Sequence, residues 1–154
     1  RIYRKKKGTS SWSVYKSVKA GTCSMMDTGA SPNATYIYTV KAYHSYVWSS
    51  YSSGGASAYR VPDATFVSVR SDAKRSVYVK WKKLSGITGY QLQRSYDASF
   101  GEYRAVNLSG SAMDRTMKYL TPGKTCYVRI RCYKKSGGKV YYGAWSTVKK
   151  IKVR

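Results

Sequence analysis

One stretch of this chain occurs twice, about 90 positions apart. Thr35-Tyr36-Ile37-Tyr38-Thr39-Val40-Lys41-Ala42-Tyr43 returns as Thr125-Cys126-Tyr127-Val128-Arg129-Ile130-Arg131-Cys132-Tyr133. The match runs back to Ile2-Tyr3-Arg4 against Leu92-Gln93-Arg94, and forward to Tyr51-Ser52 against Trp145-Ser146. A repeat of this length, made of short alternating segments, specifies tandem all-β modules rather than one larger domain. The first copy opens at the equivalent of position 91. It is therefore expected to be a partial module over residues 1–61, from its third strand onward, followed by a complete module over 62–154. That division implies a longer parent polypeptide cut inside a module. Arg60-Val61-Pro62-Asp63 leaves almost no linker, and proline stiffens its own φ and its predecessor, so a fairly rigid, elongated pair is expected.

Periodicity assigns the strands of the second copy. Ala64 to Val69 reads as the first. Ser76 to Lys82 alternates, with Val77, Val79 and Trp81 on one face and Tyr78, Lys80 and Lys82 on the other. Tyr90 to Arg94 turns Tyr90 and Leu92 inward. Tyr103 to Val106 and Met113 to Leu120 are weaker segments. Cys126, Val128, Ile130 and Cys132 face in from the strongest strand, while Tyr127, Arg129, Arg131 and Tyr133 face out. Val140 to Tyr142, Trp145-Ser146 and a last strand through Ile151 and Val153 complete the series. Seven short strands over roughly 90 residues suit a two-sheet sandwich, and no segment carries a capped 3.6-residue period.

Residues 62–154 resemble a fibronectin type III domain of the kind found in tandem in large secreted or cell-wall proteins of Gram-positive gut bacteria. The likeness rests on Trp81, on Gly89-Tyr90-Gln91-Leu92, on Leu120-Thr121-Pro122-Gly123 ahead of Cys126 to Tyr133, and on Tyr142-Gly143-Ala144-Trp145-Ser146. The first copy is similar from its third strand onward: Ile2-Tyr3-Arg4, Asp27-Thr28-Gly29, Tyr36 to Tyr43, and Trp48-Ser49-Ser50-Tyr51-Ser52. The resemblance implies immunoglobulin-like β-sandwiches in tandem, the first lacking its first two strands, in an extracellular, secreted or cell-wall-attached protein. It also implies a tyrosine corner, in which a tyrosine six residues after the turn leucine bonds back to the chain. Tyr36 holds that place in the first copy. Cys126 holds it in the second and cannot make the bond, so a weaker corner and a stability gain on Cys126→Tyr are expected.

The charge is one-sided: 29 Lys and Arg against six Asp and Glu, a formal net charge of +23. Residues 1–61 carry nine of those cations and one acid, residues 62–154 twenty and five. Such a field draws in anionic surfaces, including teichoic acids, acidic glycans, anionic lipid and nucleic acid. No apolar run of about 18 residues exists to span a membrane.

Catalytic groups are scarce. His44 is the single histidine. Asp27, Asp63, Asp72, Asp97, Glu102 and Asp114 stand apart, without the spacing of a calcium loop or a carboxylate pair. Asp27 and Asp114 suit a turn or a backbone amide better. The spacing of Cys23, Cys126 and Cys132 matches neither a disulfide framework nor a metal site, and all three read as small buried apolar residues. No enzyme activity, cofactor or metal is expected.

Two aromatic–basic sets remain as candidates. Tyr127, Arg129, Arg131 and Tyr133 share one strand face, with Trp145 expected on the adjacent strand. A ladder of guanidinium groups stacked on rings is favoured over a glycan or nucleic-acid platform, because strand pairing alone sets these side chains side by side. Arg4, Lys5, Lys6 and Lys7 form a basic run expected at a turn, where they add to anion attraction. The leading function is a non-catalytic spacer and presentation module. Its partners would be other domains of the same polypeptide and anionic wall polymer or glycan. A specific adhesin or carbohydrate-binding unit using outward Tyr, Trp and Arg is the alternative. Nucleic-acid binding ranks third, since no reader motif appears.

Overall fold

The computed structural model describes every residue except Ser52, which closes the Tyr51-Ser52 match to Trp145-Ser146. The chain divides into two compact units, Arg1–Arg60 and Val61–Arg154. Both are built from strands, and no helix occurs among the described residues. Consequently no helix there is long and apolar enough to cross a membrane.

In the second unit, β7 (Phe66–Arg70), β8 (Val77–Trp81) and β11 (Asp114–Met117) form a three-stranded antiparallel sheet in the order β11-β8-β7. The other sheet runs β10-β9-β12-β13, from β9 (Gly89–Ser95), β10 (Arg104–Ser109), β12 (Thr125–Ser136) and β13 (Lys139–Tyr142). The last strand, β14 (Lys149–Lys152), also pairs with β12. The alternation places Val77, Val79, Trp81, Tyr90, Leu92, Cys126, Val128, Ile130 and Cys132 inside, each at most 1% exposed. Trp81 and Tyr90 join the two layers, their ring centroids 5.4 Å apart. The Tyr90 hydroxyl accepts a bond from the Leu84 amide at 2.8 Å, so its one polar atom is satisfied inside the core. Burying side chains of this size contributes roughly 1.5–3 kcal/mol each.

β12 spans twelve residues and changes partner along one edge. Thr125–Val128 pairs with β14 and Tyr133–Ser136 with β13. Between them, where a strand through Trp145-Ser146 was expected, the chain runs irregularly. It still closes the edge: Ser146 N–H donates to the Ile130 carbonyl at 2.8 Å, and the Ser146 hydroxyl accepts the Ile130 amide at 3.1 Å. A side-chain clamp thus replaces a ladder.

The first unit has β1 (Ile2–Lys6), β2 (Ser13–Lys16), β3 (Thr35–Val40) and β6 (Ala56–Tyr59) in one antiparallel sheet ordered β2-β1-β3-β6. A hairpin of β4 (Tyr43–His44) and β5 (Val47–Trp48) stands beside it. The repeat persists at the level of register: Ile2 pairs with Val40 as Leu92 pairs with Ile130. Burial does not persist. Val40 is 63% exposed whereas Ile130 is fully buried, because β7 and β8 have no counterpart in this unit. The face of β3 opens instead on a groove of about 1490 Å³ lined by Tyr36, Tyr38, Val40 and parts of residues 17–27.

Three expectations need correction. Arg4, Lys5 and Lys6 lie in β1, not at a turn, so alternation splits them between two faces; Lys7 begins the turn. Cys23 is exposed, unlike the buried Cys126 and Cys132. Asp114 sits in β11 opposite Lys80 rather than in a turn.

The corner of the second unit also differs from expectation. In the first unit the Tyr36 hydroxyl accepts the Ser31 amide and donates to the Ser31 hydroxyl, both at 3.3 Å. The equivalent amide in the second unit, on Thr121, donates to the Tyr96 hydroxyl at 2.8 Å. A tyrosine just past β9 therefore does the work that Cys126 cannot. With that amide bonded and Cys126 fully buried, Cys126→Tyr gains no bond and overfills the core. In urea denaturation Tyr96→Phe should cost about 1 kcal/mol and Cys126→Tyr about 1–3 kcal/mol. Stabilisation by Cys126→Tyr would refute this substitution of one tyrosine for another.

Candidate binding surfaces

The outward face of β12 forms a stack. Arg129 lies over the rings of Phe100 at 4.1 Å and Trp145 at 4.4 Å, and Arg131 over Trp145 at 4.2 Å and Tyr142 at 3.8 Å. Phe100, Arg129, Trp145, Arg131 and Tyr142 thus alternate ring and cation, with each guanidinium between two rings. The in-plane edges are held too. Arg129 Nε donates to Gln93 Oε1 at 2.9 Å, and Arg131 donates to Gln91 Oε1 from Nε at 2.9 Å and Nη2 at 2.7 Å. These glutamines face their arginines directly across the β9–β12 pairing.

Of the residues singled out from sequence, Arg129, Arg131 and Trp145 meet in this stack. Trp145 reaches it from an irregular segment, not from a strand. Tyr133 borders the end, its ring 6.2 Å from that of Tyr142. Its hydroxyl lies over Gly89, where an added Cβ would fall 2.7 Å from that oxygen and 2.2 Å from the Leu108 carbonyl. Tyr127 lies at the opposite end of the row, paired with Ser95 and Lys150. Burial lowers the pKa of Arg131, the electrostatic consequence of drawing a cation out of water.

Phe100 was not singled out from sequence. It is 5% exposed with φ +59°, a left-handed geometry that a bulky residue rarely adopts. Asp97 imposes it by accepting the Ser99 and Gly101 amides at 3.0 Å, and these bonds lower its pKa, the Ser99 hydroxyl contributing most. The acid that sequence left unassigned therefore shapes the loop that ends the stack.

In the first unit, the charge of Arg4 is already engaged. Its Nη1 donates to Asp27 Oδ2 at 2.7 Å, and its guanidinium lies over Tyr15 and Tyr36 at 4.6 and 4.7 Å. Asp27 also accepts from the Tyr38 hydroxyl at 2.7 Å, the Gly29 amide at 2.8 Å and Tyr15. Burial would raise the Asp27 pKa, but the Tyr38, Arg4, Tyr15 and Gly29 bonds outweigh it and hold the carboxyl at about 2. Burial and the Asp27 bond push the Tyr38 phenol up. On the other face Lys5 Nζ lies 4.7 Å over Trp12. Lys41 lies 4.6 Å over Tyr51, as Arg131 does over Trp145, which is the pairing the repeat gives. Among these cations only Lys6 and Lys7 remain as plain solvated charge, both exposed.

His44 is exposed in the β4–β5 hairpin. No group of three or more metal-ligating side chains occurs among the described residues. Burial raises the thiol pKa of Cys126, and that of Cys132 to about 12, so neither is a ready nucleophile at neutral pH.

No protein-family description matches the chain, and no curated protein does. Solved structures do. A computationally redesigned β-sandwich protein aligns over 60% of this chain and 90% of its own, at 17% identity and TM-score 0.50. The fn3 domain of the human collagen alpha-1(XX) chain aligns over 61% of this chain and 85% of its own, also at 17% identity and TM-score 0.50. The fold is a fibronectin type III β-sandwich. Its two-sheet order around Trp81 and Tyr90 agrees with that assignment.

Removing Trp145 takes away a face of both arginines at once. Trp145→Ala should destabilise by about 3 kcal/mol in urea denaturation, and Arg131→Lys by about 1 kcal/mol, since lysine lacks the planar fork. A Trp145→Ala change below about 0.5 kcal/mol would show the stack to be surface decoration. For Asp27 the folded pKa is depressed, so its stabilisation is complete above the unfolded value near 4 and is lost as pH falls toward about 2. Asp27→Asn should lower the melting temperature at pH 7 and flatten that acid limb. An unchanged acid limb would place the pH dependence elsewhere.

Proposed function

We propose that this chain is a non-catalytic pair of modules in a larger extracellular or cell-wall-attached bacterial protein, spacing and presenting its other domains. On this reading residues 1–61 are a fibronectin type III module without its first two strands, and residues 62–154 a whole one. The basic surface lies against anionic wall polymer or acidic glycan.

The observation that carries the reading is how the aromatic–basic side chains are used. Arg129 and Arg131 each have both faces against rings and their edges on glutamine, so the stack offers little room for a sugar or base to insert. What the surface offers a partner is charge, 29 cations against six acids. That favours anionic polymers held by long-range attraction over a stacking adhesin built on Tyr127, Arg129, Arg131, Tyr133 and Trp145. The fn3 domain of a collagen chain shows the same sandwich serving within a longer polypeptide.

Retention on immobilised wall teichoic acid tests the proposal. Binding should weaken steeply and linearly in log–log form as salt rises. A glycan array at physiological salt should show no neutral-glycan hit. A neutral hit abolished by Trp145→Ala, in a variant that stays folded, would replace this reading with the adhesin.

A further inference from the structure

The second unit has a cleft that none of the sequence motifs marked. It opens between the β9–β10 edge of one sheet and β11 at the edge of the other, with a volume of about 490 Å³. That volume falls within the ~300–1,000 Å³ of small-molecule sites. Leu92, Val106 and Met117 line its apolar part, and Arg94, Arg104, Arg115 and Lys118 surround them.

Strand parity explains the placement. Tyr90, Leu92 and Arg94 share the inner face of β9, so Arg94 points the way the core does at the strand's open end. Arg104 of β10 is its direct cross-strand partner, as Val106 is of Leu92. On β11, Arg115 shares the inner face with the buried Met117. Two like charges directly opposed across a ladder destabilise it, so the fold alone does not favour this pair.

None of these four cations is ion-paired with a carboxylate among the described residues. Asp72 is paired with Arg70, Asp97 is bonded to its own turn, and Asp114 points to the other face of β11. At the rim Tyr119 has φ +60° and is 86% exposed, a strained backbone that presents a ring to solvent.

We propose that this cleft binds a short acidic oligosaccharide, its sulfate or carboxylate groups held by Arg94, Arg104, Arg115 and Lys118. The sugar's C–H faces lie on the half-buried Val106 at the mouth of the cleft, with Tyr119 stacked at the entrance. Guanidinium groups suit such anions because they donate in a planar fork. A single-stranded nucleic acid would call for a groove with successive stacking rings, whereas these cations converge on one short cleft. The inference rests on the anionic-partner reading above and assigns it a place. A purely structural role, cations turned in at sheet edges to prevent edge pairing, predicts different behaviour.

The test is calorimetric titration of the full chain with a sulfated uronate–glucosamine tetrasaccharide at about 0.15 M salt. Arg94→Gln/Arg104→Gln should weaken binding at least about tenfold, while Lys149→Gln/Lys150→Gln, which removes the same charge from β14, should weaken it less than about twofold. Equal weakening by both pairs overturns the cleft and leaves a diffuse basic surface. Retention on teichoic acid without tetrasaccharide binding does the same, whereas loss of both overturns the anionic-partner reading as well. An oligothymidylate of equal charge binding as tightly, with the same dependence on Arg94 and Arg104, overturns the assignment to a glycan. Without ligand, Arg104→Gln should raise the melting temperature by relieving the opposed charges. A fall would show that Arg104 serves the fold and not a ligand.

Discussion

The pairing of β9 with β12 is the interaction on which the second unit depends. It sets Leu92 against Ile130 and Gln91 and Gln93 against Arg131 and Arg129. One ladder therefore builds two things on opposite faces: a core of fully buried Cys126, Val128, Ile130 and Cys132, and an outer stack of cations and rings. A slip of one residue would exchange the two faces, burying the arginines and exposing the core, so register is strongly specified. The turn at Asp97 and the clamp at Ser146 are secondary devices that close this ladder at its end and at its edge.

The two units show what the second sheet contributes. β1 and β3 keep the register of β9 and β12, and Tyr36 keeps its corner. Where β8 would have brought its Val-x-Val-x-Trp face, the first unit has an open groove, with Val40 in solvent. Polar bonding takes on more of the work there. Asp27 gathers Arg4, Tyr15, Tyr38 and the Gly29 amide, an arrangement that reinforces the small buried cluster of Ala30, Ala34 and Tyr36 but weakens in acid.

Charge is handled differently at different places. On β12 and β1 the arginines lie over rings, where the π-faces take the part of counter-ions. At the β9–β10 end, Arg94 and Arg104 face each other, and neither is ion-paired with a carboxylate among the described residues. Arg104 is exposed there, so solvent screens the opposition.

The alternation of Val77 to Trp81 and of Cys126 to Cys132 determined inside and outside, because side chains on a pleated strand change face at every residue and only one face can be dry. The 90-residue repeat likewise carried over to the register of Ile2 with Val40. Other features depended on residues distant in sequence. Tyr96 bonding the Thr121 amide, Phe100 capping Arg129 and the Arg94–Arg104 cleft each join segments that no local period connects. So does the engagement of Arg4 by Asp27, which a basic run read alone presents as solvated charge. The sequence by itself decided which residues face the core, since that follows from local geometry. Which polar groups find partners, and which cations are left facing one another, was decided only when the sheets came together, because hydrogen bonds and charges act between atoms near in space, not in sequence.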